Sequence, residues 1–205
     1  RPPRNGPQET APAGVPLDTP VPPRTAGLDG PDNGITFAPD GNLYVPGYNS
    51  SNVIRFDPRT GATTVVVARG ARGLFNTRGI LPERNGSGLL ITGEGSGQLL
   101  RFDFATGGFT LLNGAMAQPT GLDYAPDGDL LIAEVDSVSP FDAVTGARKG
   151  VVVPAGSGGL TSATYVAVIA HAAPPVAPVP VVEYYNTTFD HYFMSALPAD
   201  IAALD

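Results

Sequence analysis

The two histidines of this chain do not lie in a pattern typical of catalysis. They are His171 and His191, and the chain contains no cysteine. The lack of cysteine removes thiol nucleophiles, thiolate metal sites and disulfides from consideration. His191 follows Asp190, so this pair could supply a metal ligand or a base, although the aromatic residues around it favour a structural hydrogen bond. No Ser–His–Asp arrangement can be assembled, because no histidine falls in the central part of the chain.

Most of the other polar motifs predict turns. The glycine-rich stretch 93–98 (GEGSGQ) lacks the lysine and the helix that a phosphate loop requires. Acidic residues beside glycines predict turns, and they are Asp40, Asp127 and Asp129. Acidic residues in a second recurring turn are expected to accept hydrogen bonds from local backbone amides, and they are Asp57, Asp103 and Asp142.

Charge and hydropathy argue against two classes of partner. Twelve basic residues face nineteen acidic residues, which gives a net charge of −7 with no basic cluster. We therefore expect binding neither to nucleic acid nor to an anionic membrane surface. An uncharged stretch between Lys149 and Glu183 is interrupted by prolines, and its longest apolar part, 163–170, is too short to span a bilayer.

Composition divides the chain into four parts. Residues 1–26 are Pro-rich and are expected to form a disordered lead-in. Residues 27–170 contain an internal repeat, 171–180 form a Pro/Ala linker, and 181–205 begin a separate C-terminal module.

The internal repeat consists of three units. Phe56, Phe102 and Phe141 are 46 and 39 residues apart, a spacing typical of propeller blades. Each unit has a first turn (Asp-Gly or Asn-Gly) and a second turn (Arg-Thr-Gly, Ala-Thr-Gly or Val-Thr-Gly). Short runs rich in β-branched and aromatic residues flank both turns, so each unit is predicted to form four antiparallel strands.

These units resemble β-propeller repeats of the NHL, gluconolactonase and streptogramin-lyase types. The resemblance is carried by the segments APDGNLYV (38–45), VIRFDPRTG (53–61), LLRFDFATG (99–107), APDGDLLIAE (125–134) and FDAVTG (141–146). It implies an all-β fold, a partial propeller of about three four-stranded blades with Pro-rich flanks, in which the innermost strands line a central channel where ligands sit.

Metal-dependent members of this group hold an ion in the channel with residues from several blades. The resemblance therefore makes Glu134 a candidate ligand for Ca²⁺ or Mg²⁺, whereas the equivalent positions in the other units are Gly47 and Gly93. A metal cofactor is expected only if the protein is an enzyme of this kind.

The number of units predicts that the propeller is incomplete. Propellers close with four to eight blades, but this chain has three units and the first strand of a fourth, 160–169. We therefore expect either further blades in a longer protein or self-association that completes the ring.

The C-terminal residues resemble the start of a repeat module of secreted bacterial proteins. The motif YYN…DHYF predicts a β-hairpin, and a short helix is expected after Pro198. Tyr185, Asn186, Asp190 and His191 are its candidate ligand-binding residues.

Three functional hypotheses follow. The favoured one is a noncatalytic propeller segment of a secreted or cell-envelope bacterial protein that binds a glycan, a small molecule or a protein. The alternatives are a fragment of a metal-dependent lactonase or lyase and a structural spacer.

Overall fold

A computed structural model describes residues 9–10, 16–169, 182–186 and 191–195. The chain divides into two compact units, Arg1–Val168 and Ile169–Asp205. The described residues of the first unit form only β-strands, loops and three short 3₁₀ turns, Thr25–Gly27, Ala71–Gly73 and Ser157–Gly159. Among the described residues, no helix is long and apolar enough to cross a membrane.

The three repeat units form three antiparallel sheets, the blades of a partial propeller. Within each blade the strands pair with their neighbours in sequence order. The strands of blade 1 are β3 (Thr36–Phe37), β4 (Leu43–Gly47), β5 (Asn52–Phe56) and β6 (Thr63–Val67). Those of blade 2 are β7 (Thr77–Pro82), β8 (Gly88–Gly93), β9 (Gln98–Asp103) and β10 (Phe109–Asn113). Those of blade 3 are β11 (Leu122–Tyr124), β12 (Leu130–Glu134) and β13 (Ser137–Phe141).

The first turn of each unit closes a hairpin, as predicted, with three loop residues in blades 1 and 3 and four in blade 2. In blade 1 the amide of Gly41 donates to the carbonyl of Ala38, and the amide of Ala38 donates to Asn42. Of these loop residues only Gly41 has a positive φ (79°), a conformation that glycine adopts without steric cost. Blade 3 repeats both bonds, from Gly128 to Ala125 and from Ala125 to Asp129. In blade 2 the amide of Gly86 donates to Glu83, but the amide of Glu83 donates to Gly88.

The cores lie between neighbouring blades. Because side chains alternate along a strand, β8 places Leu89 and Ile91 against blade 1 and Leu90 against blade 3, and all three are fully buried. Both faces of a central blade are therefore apolar, which explains the continuous run GLLITG.

Blade 3 departs from the predicted four strands. Its fourth segment joins β13 (Ser137–Phe141) only through isolated bridges, Val138 to Val153 and Phe141 to Arg148. Gly150 between them has φ 145°, a conformation open to glycine that carries the chain away from the ladder. Val151 and Val152 are consequently exposed.

The segment predicted as a fourth first strand, 160–169, forms no ladder with its neighbours. It is held by single hydrogen bonds instead. The Thr120 hydroxyl donates to the carbonyl of Ala163 (2.8 Å), and the Asn33 amide group donates to the carbonyl of Thr164 (2.8 Å). Since Thr120 belongs to blade 3 and Asn33 to blade 1, this segment fills the gap between the first and last blades.

The chain before residue 27 contributes to the first unit. Two short strands, β1 (Glu9–Thr10) and β2 (Pro16–Asp18), pair antiparallel. Val21 is fully buried in a cluster with Leu28, Val45 and Ile54. The core of blade 1 thus includes a residue that the sequence assigns to a disordered lead-in, because composition does not show what an isolated apolar residue packs against.

The second unit contains the predicted hairpin. Strand β14 (Val182–Asn186) pairs antiparallel with β15 (His191–Ser195), and Tyr185 lies opposite Tyr192. The helix expected after Pro198 lies outside the described residues.

Candidate functional site

The inner edges of the blades surround a cavity of about 210 Å³. It is lined at equivalent positions of the three repeats by Gly34, Gly79 and Gly121, and on the remaining side by Tyr165. A Cβ atom at Gly34 would collide with the carbonyl oxygen of Arg78, and one at Gly79 with that of Thr120. The repeated glycines are therefore required by the close approach of neighbouring inner strands.

Two side chains add polarity to this channel. Asp123 accepts hydrogen bonds from the amides of Tyr124 and Val168, both at 2.7 Å, so both carboxylate oxygens have partners. Tyr165 is 56% exposed and presents its ring at the cavity wall. The inner edge of each blade also turns backbone N–H and C=O groups towards the cavity, and such groups favour water or a polar ligand.

A charged cluster lies at the end of the channel formed by the β8–β9 loop. The Arg78 guanidinium donates from Nε to Asp32 (2.9 Å) and from Nη1 to Glu94. It also lies over the Tyr48 ring, 5.2 Å from the centroid. The side chains of Arg78, Asp32 and Glu94 are each about one-fifth to one-quarter exposed. Two carboxylates around one guanidinium leave the cluster with one net negative charge.

An exposed aromatic ring lies on the same side of blade 2. Phe75 is 57% exposed and two residues before Thr77, the first residue of β7. Its backbone amide donates to the Ser96 hydroxyl (3.3 Å), and its ring covers Gly95. Asn76 donates from Nδ2 to the Tyr48 carbonyl (3.2 Å), which fixes the loop beside the cluster. An apolar ring beside fixed polar groups is suited to contact with a sugar face or an apolar side chain.

Glu134, the candidate metal ligand, lies at the end of β12 and is paired with an arginine. Its side chain is 1% exposed, and Arg148 Nη2 lies 2.6 Å from Oε1 and 2.5 Å from Oε2. Oε1 also accepts the amide of Ala117 at 3.0 Å. Arg148 is fixed by the Ser139 hydroxyl and by the Phe141 ring, 4.8 Å away.

This geometry does not fit a metal ion bound by Glu134. Both of its oxygens face a guanidinium, and Gly47 and Gly93 offer no side-chain oxygen at the equivalent positions. Within the described part of the chain, no group of three or more His, Cys, Asp or Glu side chains could hold an ion. The residues shown here therefore give no support to the metal site that the sequence resemblance implies.

The four candidate residues of the C-terminal hairpin are only partly described. Tyr185 and Asn186 end strand β14, and His191 begins β15, opposite Asn186. Asp190 lies outside the described residues, as does His171.

The opposite ends of the blades carry the predicted local hydrogen bonds. Asp142 Oδ1 accepts the amides of Thr145 (2.8 Å) and Val144 (3.0 Å), and Asp57 and Asp103 act likewise in their own turns. The bonds from Thr145, together with that from Val144, lower the pKa of Asp142 to about 2. Hydrogen bonding to Asp129 raises the pKa of Lys149, and Asp142 adds to this effect.

Sequence reasoning missed the cluster at the channel mouth. The available signal was a difference between repeats, since Arg78 stands where the other units have Asn33 and Thr120. Glu94 meets Arg78 through the pairing of β7 with β8 inside blade 2. Asp32, 46 residues from Arg78, reaches it only because blade 1 packs against blade 2.

Comparison with solved structures identifies the fold. No family model and no curated protein matches this chain. A virginiamycin B lyase from Staphylococcus aureus aligns over 68% of this chain and 45% of its own, with 16% identity and a TM-score of 0.52. A streptogramin B lyase aligns over 86% and 57%, with 17% identity and a TM-score of 0.51. A chain of a nidogen/laminin complex aligns over 65% and 50%, with 18% identity and a TM-score of 0.54.

These structures are propeller proteins, and the chain spans about half the length of each. The first unit of this chain is a partial β-propeller of about three blades, as the repeat predicts.

Proposed function

We propose that this chain is the noncatalytic propeller segment of a secreted or cell-envelope bacterial protein, and that it binds a ligand at the channel mouth. The ligand class is a glycan, a small molecule or a protein segment. The C-terminal hairpin, which resembles modules of secreted bacterial proteins, supports the proposed location.

The observation that carries this proposal is the ion pair in which Arg148 donates to both carboxylate oxygens of Glu134. An acid that binds a metal or transfers a proton needs an open oxygen facing the substrate. Glu134 instead has a guanidinium on both oxygens and a backbone amide on one. Glu134, the strongest candidate for a metal-binding or proton-transferring residue, thus forms a structural ion pair.

The channel mouth has the features of a binding surface. Arg78 is fixed between two carboxylates and an aromatic ring, so its orientation requires no further ordering when a ligand arrives. Phe75 supplies an exposed apolar contact on the same side of the blade. The nidogen/laminin structure, in which a chain of this fold is found in a protein complex, supports a binding role.

The alternative is a fragment of a metal-dependent propeller lyase or lactonase. It is favoured by the two lyase structures among the comparisons. Its metal, Ca²⁺ or Mg²⁺, would have to be bound largely by residues other than those described here.

A calcium titration separates the two proposals. Thermal unfolding of the chain would be followed by circular dichroism with and without 5 mM Ca²⁺ or Mg²⁺, for the native chain and for Glu134→Gln. We expect no stabilisation by either ion. A saturable increase in Tm with either ion would overturn the noncatalytic proposal and favour the enzyme, and its loss in Glu134→Gln would identify Glu134 as one of the ligands.

The binding surface is tested with two phenylalanines of similar exposure. Phe75 is 57% exposed near the channel mouth, and Phe37 is 63% exposed beside the first turn at the other end of blade 1. On a glycan array and a peptide array, Phe75→Ala should lose about tenfold or more of the signal, as expected for a central aromatic contact. Phe37→Ala should keep it. Equal loss in both variants would refute this location, and no signal from the native chain on either array would favour a spacer.

A further inference from the structure

Because the three blades are repeats, their sequences can be compared position by position. The first turn of blade 2 differs in sequence from the first turns of blades 1 and 3. The turn reads Ala-Pro-Asp-Gly at 38–41 and again at 125–128, but Glu-Arg-Asn-Gly at 83–86. In all three turns the glycine amide donates to the carbonyl three residues earlier and the glycine has a positive φ, although the loop of blade 2 is one residue longer. The hairpin therefore forms without charge at these positions, and the charged pair Glu83–Arg84 needs another explanation.

The two charges do not neutralise one another. Glu83 is paired with Arg101 across 2.7 Å, with side chains 12% and 26% exposed. Arg84 instead reaches blade 3, where Nη2 donates to the Ala125 carbonyl (3.1 Å) and the guanidinium lies 4.4 Å from the centroid of the Tyr124 ring. Among the described residues, Arg84 has no carboxylate partner and its Nε and Nη1 groups have no acceptor.

Arg84 lies at a cleft between blades 2 and 3, at the opposite end of blade 2 from the channel mouth. The cleft has a volume of about 490 Å³, within the range of small-molecule sites. Asn85 and Ser87 stand beside Arg84, and Ala143 and the 71% exposed Val144 form the apolar side. The remaining acid, Asp103, is bonded to the amide and hydroxyl of Thr106 in its own turn.

We propose that this cleft binds a small ligand carrying a carboxylate or phosphate group, with Arg84 as the residue that recognises the oxyanion. The Tyr124 ring and the Ala125 carbonyl hold the guanidinium in place, so its free N–H groups are oriented before binding. Guanidinium recognises planar and tetrahedral oxyanions with several parallel hydrogen bonds. The apolar side at Val144 suits a ring or a short alkyl group attached to the anion.

The experiment is an NMR titration of the ¹⁵N-labelled full chain with inorganic phosphate, phenyl phosphate and benzoate. We expect saturable shifts of the Arg84 Nε–H signal and of amides 83–87 and 143–144, with phenyl phosphate binding more tightly than phosphate. A stronger response to benzoate than to phenyl phosphate would identify a carboxylate, and the reverse a phosphate, as the preferred group.

Two variants test the role of Arg84. Arg84→Gln should weaken binding about tenfold or more, since a charge-assisted hydrogen bond is lost. Arg59→Gln is the matched control, because Arg59 is an exposed arginine of a turn in blade 1 whose partner is Asp57. It should bind like the native chain.

A second change guards against misfolding. The double variant Glu83→Ala with Arg84→Pro gives the longer loop of blade 2 the Ala-Pro pair found in blades 1 and 3, and it should retain the native circular dichroism spectrum while losing anion binding. The proposal is overturned if no probe gives saturable shifts in the cleft up to 20 mM. It is equally overturned if Arg84→Gln binds as tightly as Arg59→Gln.

Discussion

The pair of Glu134 and Arg148 offers the sharpest test of how this propeller is stabilised. Substitution Arg148→Met keeps most of the side-chain volume but removes the guanidinium. The carboxylate of Glu134, 1% exposed, is then left with the single amide of Ala117. Removing one partner of a buried ion pair costs about 3–5 kcal/mol.

The exposure of the arginine reduces this value. The Arg148 side chain is 40% exposed, so solvent already screens part of the interaction. We therefore expect a loss of about 2–3 kcal/mol in the free energy of unfolding. At about 2–4 °C per kcal/mol for a chain of this size, the fall in Tm should be about 4–12 °C.

The assay is urea denaturation followed by circular dichroism, with two comparisons. Arg59→Met removes an ion pair whose arginine side chain is 72% exposed, and it should cost at most about 1 kcal/mol. The double variant Glu134→Leu with Arg148→Met replaces the pair by apolar groups, and it should recover to within about 1 kcal/mol of the native chain. If Arg148→Met costs no more than Arg59→Met, Glu134 is not a desolvated carboxylate and the reasoning fails.

Two further predictions concern the repeat itself. Gly79→Ala should lower the free energy of unfolding by about 1–3 kcal/mol in urea denaturation, since its Cβ would overlap the Thr120 carbonyl in blade 3. The control Gly108→Ala should cost less, because the nearest atom there belongs to the Thr106 side chain, which can move. Equal costs for the two variants would show that the inner strands can separate. The pKa of Asp142 lies near 2, below its ordinary value, so Asp142 stabilises the fold above about pH 4 and this contribution is lost as the pH falls towards 2. Asp142→Asn should accordingly lose less stability than the native chain between pH 4 and pH 2 when unfolding is followed by circular dichroism, and parallel pH profiles would contradict the hydrogen-bond origin of the shift.

Much of the fold could be predicted from the repeat because its signals are local. Glycine at position 41 permits a positive φ wherever the rest of the chain lies, and alternating β-branched residues specify a strand within a few positions. The turn role of Asp142 is equally local, since its partners are two and three residues away. For the same reason the hairpin of the second unit, Val182–Asn186 with His191–Ser195, follows its sequence closely.

The partners of the candidate site residue Glu134 depend on packing between segments that the sequence does not show. The sequence resemblance makes Glu134 a candidate metal ligand, but Arg148, on the irregular segment that leads to Gly150, forms an ion pair with it. The expected fourth strand of blade 3 was absent for a related reason, since a single glycine conformation breaks a ladder that the run VVV would otherwise favour.

The sequence by itself determined the period, the turns and the strand composition, because each depends on neighbours in the chain. Only the tertiary structure decided which charges meet. Arg78 binds Asp32 and Glu94 from two different blades, and Arg84 crosses from blade 2 to the Tyr124 ring of blade 3. Contacts between blades are set by how the sheets stack, and the energy of a charge depends on the partners and the burial that stacking provides.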